Sequence, residues 1–463
     1  MNELLAQFGP EMITPPEPRY IQEPRGRYQG HALAVARPRT VQEVSDLVRA
    51  CAALDIPIVP YSGGTGLVGG QTYDRDTRLP LLLSLERMRA IRAIHAAENV
   101  MIAEAGAILA NVQEAAAKEG RLFPLSMASE GSAAVGGFLA TNAGGVNVIR
   151  YGNARDLCLG IEAVLPNGEI FHGLKRLRKD NTGYDLRHLL IGAEGSLGII
   201  TAAALKLVPR PQSYMAAMFV VPSPQAAVAL LTRAKSHFAE SLSAFELIAQ
   251  QSFDFLARAF PDMRQPFERA PQWAVLMDLG MAQAHGTDAA LEAFFTESYE
   301  AGDVLDGVLA TSEAQRHAFW ALREHIPLAN RHIGSVSNHD ISLPISMVPD
   351  FIDKMPAQIA KVGAFRINCF GHLGDGNLHY NIFPIDGNTR ADHDHQRADL
   401  KRLIHDNVHD MGGSVSAEHG IGRLKVDDLE RYGDPAKLAA MRAIKTALDP
   451  QNIMNPGAVL RAL

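Results

Sequence analysis

Cysteine is scarce and scattered: Cys51, Cys158 and Cys369 are the only three in 463 residues. An odd number of thiols this far apart excludes a disulfide framework and a zinc site built on Cys-x-x-Cys pairs. Buried free thiols are the expectation that remains. Basic charge is not in excess. The formal net charge of −7 removes the electrostatic reason to expect nucleic acid as a partner. No apolar run reaches the ~18 residues that a membrane span needs. The opening MNELLAQFGPEM lacks a charged-then-apolar signal pattern. These absences point to a cytoplasmic protein, with peripheral membrane contact left open. Internal repeats and low-complexity tracts are also missing.

What is plentiful is glycine, and it clusters. There are 39 glycines, and a cluster of them means backbone brought close to something. The length argues for two or three domains. Residues 1–30 read as an irregular, proline-rich lead-in. Thr40 and Glu43 form a capping box for an amphipathic helix over 40–56. IPIVPY and RLPLLLSLERM read as buried strands. NVMIAEAGAIL is a strand turning into a helix that stops at Gly120. LCLGIEAVLPNGEIFHG reads as a hairpin turning at Pro166-Asn167-Gly168. PRPQSY, residues 209–214, is a boundary punctuated by proline. Beyond it, strands such as MAAMFVVP and WAVLMDLG alternate with amphipathic helices. That pattern is α+β, with a large antiparallel sheet and helices on one face.

The stretch PYSGGTGLVGG contains the pattern G-x-G-x-x-G at Gly64, Gly66 and Gly69. A dinucleotide loop of the Rossmann kind needs a helix directly after it. QTYDRDTRLP has no helical period and ends in proline, so that reading fails. Glu86 lies where a ribose-binding acid would fall, but one acid is weak support. Gly70-Gln71 excludes the Lys-Ser/Thr of a P-loop. Two further small-residue loops follow, GSAAVGGFLATNAGG and GAEGSLGIIT. One such loop alone reads as a tight turn. Three together can form nests of backbone N–H groups that bind an anion without a helix dipole.

These three stretches resemble the FAD-binding domain of the vanillyl-alcohol oxidase superfamily, and within it the D-2-hydroxyacid dehydrogenase branch. That branch includes D-lactate dehydrogenase, the glycolate oxidase flavoprotein subunit and D-2-hydroxyglutarate dehydrogenase. The resemblance extends over nearly the whole chain. It implies a two-subdomain FAD-binding domain of the PCMH type over residues 1–213, a cap domain over 214–425 and a returning segment over 426–463. It further implies that Pro60, Ser62, Gly63, Gly64, Thr65 and Gly66, with Gly69 and Gly70, wrap the FAD pyrophosphate. Gly131, Ser132, Gly136, Gly137, Thr141, Asn142, Gly144 and Gly145 would run along the cofactor. Glu194, Gly195, Gly198 and Ile200 would sit beside its adenosine part, and Asn455 would reach the ring. Thr65 stands where relatives with covalent flavin carry His, which implies non-covalent FAD.

The second half holds FGHLGDGNLHYN and SAEHGIGR. His372 and His379 flank Gly374-Asp375-Gly376-Asn377, a strong turn sequence, so two imidazoles can converge. Glu418 can add an oxygen ligand and leave positions open, as in catalytic zinc sites. The bland alternative is that these are hydrogen-bonded or solvated members of a set of 17 histidines. His393 and His395, in DHDH, read as surface residues. The resemblance implies zinc or a similar divalent ion on His372, His379 and Glu418, with His419 as base. It also implies that Arg323 pairs the substrate carboxylate, while Asn381 can steady a substrate oxygen.

Two positions depart from the branch. Asn338 stands where relatives often have Lys, and Pro327 where Ser or Thr is common. Both exchanges weigh against a dicarboxylate substrate, with His339 as a candidate to compensate. The expected reaction is oxidation of a D-2-hydroxy acid to the 2-oxo acid, with hydride passing to FAD. Electrons would leave to an external acceptor, an electron-transfer flavoprotein or a quinone, and the expected assembly is a homodimer. A zinc hydrolase would leave the glycine loops unexplained. A non-catalytic flavin-binding module would leave Arg323 and His419 unexplained.

Overall fold

The computed structural model describes residues 1–461 except 24, 27 and 283–286. The chain divides into two compact units. The first comprises residues 1–144, 152–210 and 418–463; the second comprises 145–151 and 211–417.

The first unit is built on two sheets. Strands β1 (Ile13–Thr14), β2 (Ala34–Ala36), β3 (Ile58–Tyr61) and β4 (Leu81–Ser84) lie in the order β1-β2-β4-β3. β2 and β3 both run parallel to β4. β5 (Ile91–His95), β6 (Val100–Glu104), β8 (Cys158–Val164), β9 (Ile170–Gly173) and β10 (Ile199–Lys206) form an antiparallel sheet in the order β5-β6-β10-β8-β9. β7 (Arg121–Leu122) pairs with β11 (Val208–Pro209). The helix Val41–Ala53 follows its sequence logic. Thr40 Oγ1 accepts the Glu43 N–H at 3.1 Å, and Val44, Leu47, Val48 and Cys51 are buried, one face at helical spacing. The return stroke of its cap goes to the Arg39 N–H rather than to Thr40.

The lead-in is not irregular. It holds the helices Asn2–Phe8 and Pro18–Ile21, because Leu4 and Ile13 fill the core beside Ala34 and Leu81, and Tyr20 packs with Val35 and Val59. The last segment carries the helix Pro435–Leu448 and joins the first sheet, where the Ile58 N–H bonds the Ile453 carbonyl at 2.7 Å.

The second unit is one antiparallel sheet of seven strands. The strands are β12 (Ser213–Val221), β13 (Leu242–Ala249), β14 (Trp273–Met281), β15 (Asp306–Leu309), β16 (Ser337–Ser342), β17 (Phe365–His372) and β18 (Asn377–Pro384), in the order β15-β12-β14-β13-β17-β18-β16. Helices cover both faces of this sheet, not one. Met218 and Leu276 pack with Phe253 and Leu256 of the helix Gln250–Ala259 and with Phe319 and Leu322 of the helix Glu313–Ile333. The next residue along β12, Phe219, points the other way and meets Phe294 at a ring distance of 6.0 Å. Period-2 alternation of large apolar side chains on both faces requires two covering layers.

The unit edges fall at 210/211 and 417/418, against the expected 213/214 and 425/426. Residues 421–424 belong with the first unit because the N–H groups of Arg423 and Leu424 both bond the Val68 carbonyl. Residues 145–151 belong with the second because Arg150 donates to Ser243 Oγ at 2.9 Å and to the Gly280 carbonyl at 2.8 Å. Cys51, Cys158 and Cys369 are buried and free.

Candidate active site

A cavity opens within the first unit, with roughly 970 Å³ of empty space including its mouth. Pro60, Ser62, Gly63, Gly64, Thr65, Gly66 and Gly70 line it from the first glycine loop. Gly136, Gly137 and Thr141 come from the second loop, and Glu194, Gly195, Gly198 and Ile200 from the third. The apolar wall adds Leu85, Met127, Phe138 and Leu190. Sequence reasoning did not assign these four, because each reads as an ordinary core position. Gly63 cannot be larger: a Cβ there would lie 2.1 Å from the Ser132 carbonyl oxygen. Ser62 Oγ is buried at this wall and finds no hydrogen-bond partner among the described residues. A buried hydroxyl left unpaired is costly, and a phosphate oxygen would satisfy it. The residues present therefore fit a flat, doubly charged nucleotide cofactor.

Gly69, Gly131, Ser132, Asn142, Gly144 and Asn455 lie outside this lining, and Gly145 belongs to the second unit. Asn142 Oδ1 accepts the Arg155 N–H at 2.9 Å, which holds the loop's exit. Asn455 does not reach into the cavity. Its side-chain amide donates to the Gly70 carbonyl at 3.0 Å and to the Glu194 carbonyl at 2.7 Å, and its Oδ1 accepts from Arg423. It ties the first loop to the third. Glu194 has a second task. Its carboxylate accepts the N–H groups of Ile421 and Gly422 at 2.7 and 2.8 Å. Burial pushes this carboxyl above its ordinary value, against the pull of those two N–H groups and of Arg423. Lys445 closes the same region. Its ammonium donates to the Ser196 carbonyl at 2.9 Å, to Asp449 at 2.5 Å and to the Met454 carbonyl at 2.7 Å.

In the second unit the strand register assembles a polar strip on one sheet face. Glu246 pairs with His372, His379 with both Phe370 and Asp340, and Asn381 with both Asn368 and Asn338. Directly paired residues share a face. The rings of His372 and His379 stand 5.6 Å apart at 79°, with ring nitrogens within 4.8 Å of each other. Two imidazoles at that spacing suit one divalent ion.

Glu246 is fully buried. Its Oε1 faces His372 Nδ1 at 2.5 Å, and its Oε2 accepts from Arg323 Nε at 2.5 Å. Burial alone would raise this carboxyl; Arg323 and His372 outweigh it and hold it down at about 2. Arg323 also lies over the Phe370 ring at 4.8 Å. With Nε engaged, the outer edge of the guanidinium makes no hydrogen bond to the described residues, and it can take a carboxylate through two parallel N–H groups. Asn381 Oδ1 accepts the His339 N–H at 3.3 Å.

His339 itself faces the opposite side. Its Nε2 meets Ser337 Oγ at 2.8 Å, and its ring packs against His405 at 5.2 Å, so it cannot compensate for Asn338 on the strip. Pro327 sits inside the helix Glu313–Ile333. His395 is exposed as expected, but His393 is buried, with Nδ1 at 2.8 Å from Gln396 Oε1 and its ring against Phe365. Glu418 and His419, half-buried, begin the segment that returns to the first unit.

Residues 32–173 match a family model described as an FAD binding domain. Residues 210–459 match one described as the C-terminal domain of FAD linked oxidases. A mitochondrial D-2-hydroxyglutarate dehydrogenase of Arabidopsis thaliana is 35% identical, over 94% of this chain and 76% of its own length. A D-2-hydroxyglutarate dehydrogenase of Xanthomonas citri pv. viticola is 34% identical, over 93% and 90%. A putative mitochondrial D-lactate dehydrogenase of Schizosaccharomyces pombe is 33% identical, over 93% and 82%. In fold, p-cresol methylhydroxylase with substrate bound superposes with a TM-score of 0.79 at 16% identity, covering 100% of this chain and 96% of that one. Alkyldihydroxyacetonephosphate synthase does so with a TM-score of 0.70 at 17% identity, covering 98% and 84%. The plant and fission-yeast relatives are named mitochondrial, which overturns the expectation of a cytoplasmic protein. Among the described residues no helix is long and apolar enough to cross a membrane.

Proposed function

This chain belongs to the family of FAD-linked oxidases, and we propose that it works as an FAD-dependent dehydrogenase that converts a D-2-hydroxy acid into the 2-oxo acid. The observation that carries this reading is the strip in the second unit. One guanidinium with an open fork and two converging imidazoles share a sheet face.

The cavity of the first unit would hold FAD, and Ser62 with the backbone N–H groups of the glycine loops would supply the donors for its phosphates. Thr65 offers no imidazole for attachment, so the cofactor is held non-covalently. When bound, FAD supplies the acceptor for the hydride that leaves the substrate carbon. Arg323 takes the substrate carboxylate in a forked contact, and Asn381 donates to a substrate oxygen. His419, as a neutral imidazole, accepts the hydroxyl proton.

His372, His379 and Glu418 would hold zinc or a similar divalent ion, which supplies a Lewis-acid contact for substrate oxygens. Two features support that set. His372 Nδ1 is engaged by Glu246, which leaves the Nε2 lone pair as the ligating one. Glu418 follows Ala417, whose N–H bonds the carbonyl of Asp340 at 3.3 Å, and Asp340 is the register partner of His379.

The relatives are named for D-2-hydroxyglutarate and D-lactate. Here Asn338 brings no charge to the strip and Pro327 no hydroxyl, so a D-2-hydroxy monocarboxylate fits better than a dicarboxylate. Electrons then leave to an external acceptor, an electron-transfer flavoprotein or a quinone.

The test is a panel of D- and L-2-hydroxy acids on the purified protein with a dye acceptor, with and without chelator. The expected result is a yellow protein that oxidises D-lactate-like acids faster than D-2-hydroxyglutarate and leaves the L-acids untouched. Chelator should abolish the rate. A colourless protein, or one equally active on L-acids, overturns the dehydrogenase reading. A chelator-insensitive rate removes the metal. A preference for D-2-hydroxyglutarate removes the monocarboxylate assignment.

A further inference from the structure

We infer that Glu246 is a positioning residue that sets two functions at once: the tautomer of His372 and the aim of Arg323. This inference rests on the reading above that His372 holds a divalent ion and Arg323 the substrate carboxylate. Nothing in its local sequence, LSAFELIAQ, announces it.

The side chain is fully buried on β13, so solvent cannot satisfy its charge. Each oxygen has one assigned partner, His372 Nδ1 on Oε1 and Arg323 Nε on Oε2. A carboxylate can accept from both at once. With its acceptor at Oε1, it keeps a proton on His372 Nδ1 and leaves Nε2 to ligate. Through Oε2 it pins the inner edge of the guanidinium, with the Phe370 ring at 4.8 Å beneath it, so the two outer nitrogens present a fixed fork. Substrate-binding cation and metal-binding imidazole are thereby held by two oxygens of one group.

A neutral isostere separates these jobs. In Glu246→Gln one end becomes a donor, which cannot face both Nδ1–H and Nε–H. The partner that meets the amide NH2 loses its acceptor, and the other keeps a neutral carbonyl oxygen in place of a carboxylate, so both contacts weaken. Glu246→Asp keeps the charge and shortens the reach by one methylene.

The experiment compares the full-length parent with Glu246→Gln and Glu246→Asp as flavin-loaded proteins. Zinc affinity is measured by competition with a chromophoric chelator. Flavin content is read by absorbance, and kcat and KM are measured at saturating zinc. The expected result for Glu246→Gln is zinc affinity weakened by about 10- to 100-fold, the range for losing a group that orients a ligating His. Its KM should rise about 10-fold or more, as a charge-assisted contact is lost. Flavin content should stay at the parental level, because the cavity lies in the other unit. Excess zinc should restore much of kcat but not KM, and Glu246→Asp should fall between.

Parental zinc affinity together with parental KM in Glu246→Gln overturns the role of Glu246. So does a loss of flavin together with a kcat that zinc cannot restore, which marks a merely structural residue. A parent protein that binds no zinc overturns the metal reading itself, and with it the half of this inference that concerns His372. The KM of Glu246→Gln then decides the half that concerns Arg323.

Discussion

At the scale of single residues, what a side chain does here is set by which of its atoms are already engaged. Arg323 spends Nε on Glu246 and keeps its outer edge. Arg323→Lys retains the positive charge but has no fork and no stacking plane. We expect KM for the hydroxy acid to rise by about 10- to 100-fold while flavin content stays unchanged, as steady-state kinetics and absorbance would show. Glu194 gives a pH signature. Its folded value lies above the ordinary Glu value of 4.5 because it is buried. A raised carboxyl binds its proton more tightly in the folded than in the unfolded state. Its contribution is therefore fully present below the unfolded value and is lost as pH rises through the folded one. The melting temperature of the parent minus that of Glu194→Gln should fall as pH rises through that window and stay flat above it. A difference independent of pH across the acid range would contradict the shift.

The sequence was partly legible at this scale. His372 and His379 declared themselves because Gly374-Asp375-Gly376-Asn377 is a turn, and a turn brings its flanks together. Glu246 did not. Its partners lie 77 and 126 positions away, and one acid in an apolar strand looks like any other outward-facing position until its neighbours are known. His339 misled for a related reason. It adjoins Asn338 and Asp340 in sequence, but adjacent strand residues point to opposite faces.

At the scale of elements, local chemistry was readable wherever an element is closed by its own residues. The cap at Thr40, the helix stop at Gly120 and the hairpin between β8 and β9 all form where turn and cap residues place them. The glycine loops are different. Their lengths could be read, but the strands and side chains that hold them could not. Lys445 is such a holder, far along the chain from the third loop. It joins Ser196, Asp449 and Met454, and burial pulls its ammonium below the ordinary value while Asp449 pulls the other way. Lys445→Met leaves Asp449 buried without its cation. The expected cost is about 3 kcal/mol of stability, the low end for breaking a buried pair, and flavin should leak during gel filtration. Unchanged thermal stability would show that the pair is dispensable. Helices on both faces of the second sheet were legible in principle. Met218 and Phe219 are consecutive and both large and apolar, a pattern that demands cover on each side.

At the scale of the whole molecule, the first unit is discontinuous. Its core contains Ile58, Leu81, Ile453 and Met454, so residues from both ends of the chain must meet before it closes. The loop entropy of joining such distant segments is repaid only when the last one docks. Residues 426–463 are therefore not an appendage to a finished domain. They supply the partner of the Ile58 N–H, the Asn455 bridge between Gly70 and Glu194 and the Lys445 contact to Ser196. A chain ending at residue 425 loses all three. We expect that truncated chain to be purified without flavin and to melt without response to added FAD. The full chain should instead gain about 2.7 kcal/mol of stability at a hundredfold excess of FAD over its Kd. Supplying residues 426–463 as a separate peptide should restore part of the flavin absorbance if docking is what completes the unit. A truncated chain that still retains flavin would show that the three glycine loops hold the cavity without the last segment.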